Sequence, residues 1–213
     1  MAADILCLSY LLNRDTPAYG GEKELVDIKQ IRSIVNGDTS NNTAFTFPAH
    51  IGTHIDFPRH FSTEGKTSSD YPASFWVFQK VGFLQCGIDE VENQIQNLDS
   101  DIELLILKTG FGEKRIFREY WAEQPVIPAR FAGLLRAKFA ALRVFGFDMI
   151  SMTSKLDRPE GKKAHISFLL DHHILVLEDM KLNELRKAPK QVIIAPLLMD
   201  GVDGVPCNIF AFV

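Results

Sequence analysis

The chain has 213 residues, 46% of them hydrophobic and 23% charged, with a formal net charge of −4. That length buries a proper core, and the composition is that of an ordinary globular protein, read as one domain over residues 1–213. The absence of any basic run argues against nucleic acid or an anionic membrane as partner, and no apolar run approaches the roughly 18 residues of a membrane span.

The first residues lack a signal-peptide pattern, and Cys7, Cys86 and Cys207 are odd in number and scattered through apolar runs. They read as buried free thiols in a reducing cytoplasm, neither a disulfide frame nor a Cys-based zinc site. Residues 5–12 form a short apolar strand-like run closed by the turn cluster Asn13-Arg14-Asp15-Thr16-Pro17. Tyr19-Gly20-Gly21 follows, its two glycines permitting an unusual backbone path. Residues 25–35 alternate as a strand, Asn36-Gly37-Asp38 makes a hairpin turn, and 43–47 lead through Pro48 into the next segment.

Residues 50–60 read His-Ile-Gly-Thr-His-Ile-Asp-Phe-Pro-Arg-His and hold three of the six histidines. His50, His54, Asp56 and His60 sit at even positions, whereas Ile51, Ile55 and Phe57 are odd. Side chains of an extended segment alternate between faces. The odd face is therefore expected against the core, and the even face as a row of metal-ligand and proton-transfer groups. A helix would also align His50 with His54, but Gly52, the β-branched Thr53 and Ile55, and Pro58 oppose one. A straight strand, at about 3.3 Å per residue, would separate the two histidines by roughly 13 Å. Gly52, midway between them, is where a bend or bulge lets both rings converge. The prediction is a polar site on a kinked strand, with residue types suited to a metal or acid–base centre.

Beyond this motif, residues 62–70 are a polar loop expected near the mouth of the site. Strands are expected at 75–85, 104–108, 144–147, 174–177, 191–199 and 207–213. Thr109-Gly110-Phe111-Gly112 breaks the second of these, and residues 200–204 turn before the last. Phe131, Leu134, Leu135, Phe139 and Leu142 recur at helical spacing and predict an amphipathic helix over 129–143. A short helix or turn is expected at 164–170 and another helix at 180–185. His172 and His173 are expected to be structural or at an interface. Of Phe45, Phe47, Phe57, Phe61, Phe75 and Trp76, most belong to the core, leaving one or two to stack on an aryl ring.

At every fixed position, residues 50–60 resemble the H-x-G-T-H-x-D-x-P-x-H signature of the cyclase-like metal-dependent hydrolases, a family that includes bacterial kynurenine formamidase (arylformamidase) and isatin hydrolase. Patchier likeness lies in residues 8–19, in Gly146-Phe147-Asp148, in the run from His165 to Glu178, and in Asn183 and Leu185. The resemblance implies an α/β protein with a swivelling β/β/α domain, a mostly β core and a few peripheral helices. It implies His50, His54 and Asp56 as ligands of a first divalent ion, with Asp56 and Glu178 bridging to a second completed by His165. It gives His60 a proton-transfer role and makes Tyr19 a pocket aromatic against substrate. The sequence departs from the family pattern in three places. Gly20-Gly21-Glu22 replaces Pro-Gly-Asp, residues 149–153 differ from the commoner turn, and the 13-residue spacing from His165 to Glu178 is one longer than the pattern. The first two bear on the shape of the pocket and the third on the ligand role of His165.

Histidine and carboxylate ligands without thiolates suit Zn²⁺, Mn²⁺ or Fe²⁺, at one or two ions per subunit. Such an ion lowers the pKa of bound water to about 7 and polarises the carbonyl under attack. A histidine with an ordinary pKa of about 6.5 can take a proton from water and return it to a departing nitrogen. The expected function is hydrolysis of an aryl amide of the kynurenine formamidase type, N-formylkynurenine giving kynurenine and formate. The alternatives are ring-opening of a cyclic amide or lactone, as in isatin hydrolase, and a metal-stabilised protein without turnover. A serine hydrolase is disfavoured, since no Gly-x-Ser-x-Gly elbow occurs. The family's dimers and tetramers imply a homodimer or homotetramer.

Overall fold

Short apolar runs separated by longer connections pair side by side, and the computed structural model, which describes residues 4–213, shows how. β6 (Val81–Gln85), β7 (Leu104–Lys108), β8 (Val144–Phe147) and β9 (Leu175–Glu178) lie parallel in that order. Every residue of β7, β8 and β9 is buried, as expected for near-continuous apolar strands covered on both faces. From β9 the sheet continues antiparallel through β4 (His54–Asp56), β11 (Gly204–Phe212), β10 (Gln191–Pro196) and β5 (Val77–Phe78). β1 (Ile5–Cys7) pairs with the far end of β11, completing nine strands. The short β4 is thus wedged between β9 and β11, with His54 opposite Glu178 and Asp56 opposite Gly204. That register carries the site. β2 (Asp27–Arg32) and β3 (Asn42–Thr46) form a separate hairpin whose residues are almost all exposed.

Helices are few and peripheral: α1 (Val91–Gln94), α2 (Glu119–Ala122), α3 (Arg130–Lys138) and α4 (Arg158–Ile166). α3 buries Phe131, Ala132 and Leu135, as its spacing predicts, but ends before residue 143. The chain must turn there so that Arg143 can donate to the carbonyls of Phe75 and Val77 at the entry to β8. Asp157 caps α4 by accepting from Glu160 N, Pro159 sits in its first turn, and a π-helical stretch, Ser167–Asp171, continues it. The mixed α/β class with a mostly β core and a few outer helices agrees with expectation.

Several local expectations are corrected. The run 75–85 is two strands on opposite edges of the sheet, because the Glu103 carboxylate accepts from Gln79 N and Lys80 N at a turn between them. Residues 180–185 are not helical: the buried Lys108 ammonium takes the carbonyls of Asn183 and Leu185 in place of helix N–H groups. The segment expected at 164–170 belongs to a helix that begins earlier, at Arg158, so His165 lies in the last turn of α4. Loop residues Ser62, Glu64 and Lys66 line a cavity with Tyr71 and Leu170, separate from the one lined by the histidine motif. Of the three free cysteines only Cys207 is buried, while Cys7 is exposed and Cys86 half-buried. Among the described residues no helix is long and apolar enough to cross a membrane.

Candidate metal centre

The motif starts as a bend. Gly52 has a φ of 60°, in the left-handed region that glycine adopts without penalty, and a Cβ there would meet Leu12 Cδ2 at 2.5 Å. The bend brings the His50 and His54 rings to a centroid separation of 5.3 Å, far closer than a straight strand allows. Only residues 54–56 are strand, since Pro58 opens a 3-10 turn that ends at His60. Ile51, Ile55 and Phe57 enter the core, as their parity predicts. The even face differs from expectation in one respect. β4 is covered on both sides, so His54 and Asp56 are also buried, around an internal cavity.

Carbonyl partners select which nitrogen each ring presents. His54 donates its Nδ1–H to Gly52 O at 2.8 Å, leaving Nε2 buried and without a hydrogen-bond partner. That atom lies 3.4 Å from Asp56 Oδ1 and 3.4 Å from Glu178 Oε2. His165 donates its Nδ1–H to Gly161 O at 2.9 Å and places Nε2 3.4 Å from both Asp56 Oδ2 and Glu178 Oε1. Each carboxylate therefore turns one oxygen toward His54 and the other toward His165. These separations are long for hydrogen bonds. A tetrahedral ion with ligand bonds of about 2.0–2.1 Å has ligand–ligand edges of about 3.4 Å. With the orphaned His54 nitrogen and an all-N/O donor set, the residues fit divalent ions. His50, His54 and Asp56 converge as one group, and Asp56, His165 and Glu178 as another.

Burial alone would lower these histidine pKa values, but the hydrogen bonds and charges of Asp56 and Asp203 raise His50 to about 9, and those of Asp56 and Glu178 raise His165 to about 10. Burial likewise resists ionisation of Asp56, yet hydrogen bonds from His165 and His50 hold it well below the usual carboxylate range. The cluster is built to take positive charge, as protons or as metal.

Supporting groups come from distant segments. Ser151 Oγ and Met152 N donate to Glu178 Oε1 at 3.3 and 2.5 Å. The side chain of buried Gln124 holds that loop, donating to the carbonyls of Ser151 and Thr153 and accepting from Ile150 N. Next to Glu178, Asp179 adopts a φ of 50° and is clamped by Arg115 at 2.7 Å and by the Tyr120 hydroxyl at 2.5 Å. Sequence reasoning passed over Gln124, Ser151 and Asp203. Asp203 Oδ2 lies 2.9 Å from His50 Nε2 and 2.9 Å from His60 Nδ1. Its only sequence signal is a turn before a strand, with nothing to link it to residues about 150 positions earlier.

All seven residues singled out from the sequence (Tyr19, His50, His54, Asp56, His60, His165 and Glu178) line one cavity of about 250 Å³. The Tyr19 hydroxyl is buried there without a partner, and the Phe61 ring stacks on His165 at 5.2 Å. His172 and His173 lie outside this cavity, and their carbonyls accept from Arg136. A larger apolar groove of about 610 Å³ lies between the β2–β3 hairpin and residues 195–198 and holds none of the cluster.

A family model described as "Putative cyclase" matches residues 6–154, a span that includes the motif and stops short of His165 and Glu178. Kynurenine formamidase of Bacillus cereus (strain ATCC 10987 / NRS 248) is 31% identical over 166 residues, covering 76% of this chain and 75% of its own. A solved structure described as a potential metal-dependent hydrolase with cyclase activity superposes with a TM-score of 0.76 at 20% identity, covering 99% of this chain and 98% of the other. Isatin hydrolase A from Labrenzia aggregata, bound to benzyl benzoate, gives a TM-score of 0.80 at 18% identity, with 100% and 94% covered. At those identities the structural likeness is one of fold.

Proposed function

The chain belongs to the Cyclase family, and from that membership and the geometry of its centre we propose a metal-dependent hydrolase of the kynurenine formamidase type, cleaving an N-formyl aryl amide to the aryl amine and formate. The observation that carries this reading is the pair Asp56 and Glu178, each offering one oxygen to His54 and the other to His165 beside His60.

Amide hydrolysis adds a water oxygen to the carbonyl carbon, breaks the C–N bond and requires a proton on the departing nitrogen. His50, His54 and Asp56 would hold a Zn²⁺ or Mn²⁺ ion and Asp56, His165 and Glu178 a second, and such an ion would supply Lewis acidity and lower the pKa of bound water to about 7. His60 gives its Nδ1–H to Asp203, which leaves the Nε2 lone pair free to take a proton from the attacking water. The same nitrogen returns that proton to the leaving amine. Tyr19 offers its unpartnered hydroxyl to the substrate, and Phe61 and Ile150 supply apolar surface for an aryl ring.

One observation favours a second reading. Away from the cluster the cavity is lined by apolar Pro17, Ala18, Phe61 and Ile150 and by uncharged Tyr19, Ser151 and Thr153, with no lysine or arginine among its described lining residues to pair with the α-carboxylate of formylkynurenine. A neutral cyclic amide or lactone opened by the same machinery suits that wall.

The test assays N-formylkynurenine, formanilide and isatin with protein purified without chelator, and metal content is measured on the same sample. The formamidase reading expects turnover of a formyl amide, loss of turnover in His60→Ala with metal retained, and loss of both in His54→Ala. Turnover of isatin alone selects the ring-opening reading, and absence of bound metal overturns both.

We propose also that the chain is a homodimer or homotetramer. Ile28, Ile31 and Phe45 of the hairpin and Leu197, Leu198 and Met199 are exposed, and four of them line one groove, an apolar surface that a second copy would cover.

A further inference from the structure

The structure assigns to Asp203 a positioning role: a single carboxylate oxygen sets the tautomers of both His50 and His60, tying a metal-ligand histidine to the proton-transfer histidine. This rests on the reading of the cluster as a hydrolytic metal centre.

Asp203 Oδ2 is 2.9 Å from His50 Nε2 and 2.9 Å from His60 Nδ1, and the two rings lie 4.1 Å apart at a tilt of 36°. A carboxylate only accepts, so each ring must present an N–H to it. His50 is then protonated at Nε2, and Nδ1, which donates to Asp56 Oδ1 at 2.8 Å on the cluster side, is the nitrogen whose proton an ion would displace. His60 is protonated at Nδ1, and its lone pair falls on Nε2. Neutral imidazole left to itself favours the Nε2–H form, so His60 needs an acceptor at Nδ1 to expose a basic Nε2. A carboxylate behind a ligating imidazole also fixes ring orientation and raises ligand basicity.

The position of Asp203 is itself secured. Its carbonyl accepts from Phe57 N at 2.9 Å, and the next residue, Gly204, pairs with Asp56 across β11 and β4. Gly204 has no Cβ, and one would press into the His50 ring. The ring can pack over the backbone only there, which brings its Nε2 to Asp203. The Asp203 side chain is 41% exposed, so an isolated pair at this position would contribute little. Two acceptor bonds converging on one oxygen distinguish it from such a pair.

The test uses the full chain loaded with Zn²⁺, as wild type, Asp203→Ala, Asp203→Asn and Asp203→Glu. Nitrogen-15 NMR of the imidazoles at pH 8.5 reads the tautomers, and chelator competition reads Zn²⁺ affinity, neither requiring a substrate. The expected result is His60 as Nδ1–H in wild type and Nε2–H in Asp203→Ala, with Zn²⁺ affinity lowered about 10–100-fold. Asp203→Asn, matched in shape, keeps one oxygen able to accept from both rings and loses only the charge, so it holds both tautomers while Zn²⁺ affinity falls. Asp203→Glu restores part of both. On whichever amide is turned over, kcat per folded molecule falls while KM stays within about threefold, as for an interaction that matters only in the transition state. An unchanged His60 tautomer together with unchanged Zn²⁺ affinity overturns the assignment. Wild-type protein that hydrolyses no amide overturns the hydrolase reading, and the two substrate-free measurements still decide Asp203.

Discussion

At the scale of single residues, the site is a set of histidines whose free nitrogens are chosen by what their other nitrogens bond. Gly52 O and Gly161 O aim Nε2 of His54 and His165 inward, and the raised values of His50 and His165, about 9 and about 10, follow from the carboxylates they face. Both histidines titrate near 6.5 when the chain is unfolded. A histidine raised on folding contributes stability that is fully present below about pH 6.5 and is lost as pH rises through its folded value. Metal-free protein should therefore lose stability steadily between about pH 6.5 and 10. Metal replaces those protons, so the loaded protein should lack that decline, and loading at pH 7 should release protons. Thermal melts of chelated and loaded samples from pH 6 to 9, with calorimetry in two buffers, check both. A chelated protein that gains stability over this range contradicts the cluster's electrostatics.

At the scale of elements, β4 is three residues long and depends on its neighbours for its place. Thr53 Oγ1 donates to Asp179 O at 2.6 Å, joining the start of β4 to the end of β9. Arg115 and Tyr120 in turn clamp the Asp179 carboxylate, which is almost fully buried. Removing one partner of a buried ion pair leaves an uncompensated charge, at a cost of about 3–5 kcal/mol. Arg115→Ala should destabilise by that amount in urea unfolding and should weaken metal retention, because Glu178 is adjacent in sequence. A loss below about 1 kcal/mol would show that water replaces the guanidinium and that the clamp is incidental.

At the scale of the whole molecule, the β2–β3 hairpin stands apart from the main sheet and carries Ile31 and Phe45 into solvent, while Leu198 is exposed on the other side of the 610 Å³ groove. A second copy of the chain, as proposed, would cover these residues. Light scattering should then give a mass two or four times 24.0 kDa. The pair Ile31→Glu and Leu198→Glu should move it toward the monomer. A wild-type mass of one chain at micromolar concentration rejects the oligomer.

What the sequence determined by itself is local. Side-chain parity made the core face of Ile51, Ile55 and Phe57 legible, and Gly52 marked the bend, because both depend only on backbone geometry over a few residues. The strands at 104–108 and 144–147 were legible for the same reason, as unbroken apolar runs. His165, Glu178 and Tyr19 came through likeness to a family signature, since no spacing rule reaches them from residue 60. Tertiary structure decided what depends on distant groups. Residues 180–185 give up helix because Lys108, more than 70 positions away, binds their carbonyls. Asp203 reaches His60 across 143 positions. A hydrogen bond over that separation leaves no periodic trace in either segment, because it depends on two groups meeting in the folded chain and not on the neighbours of either in sequence.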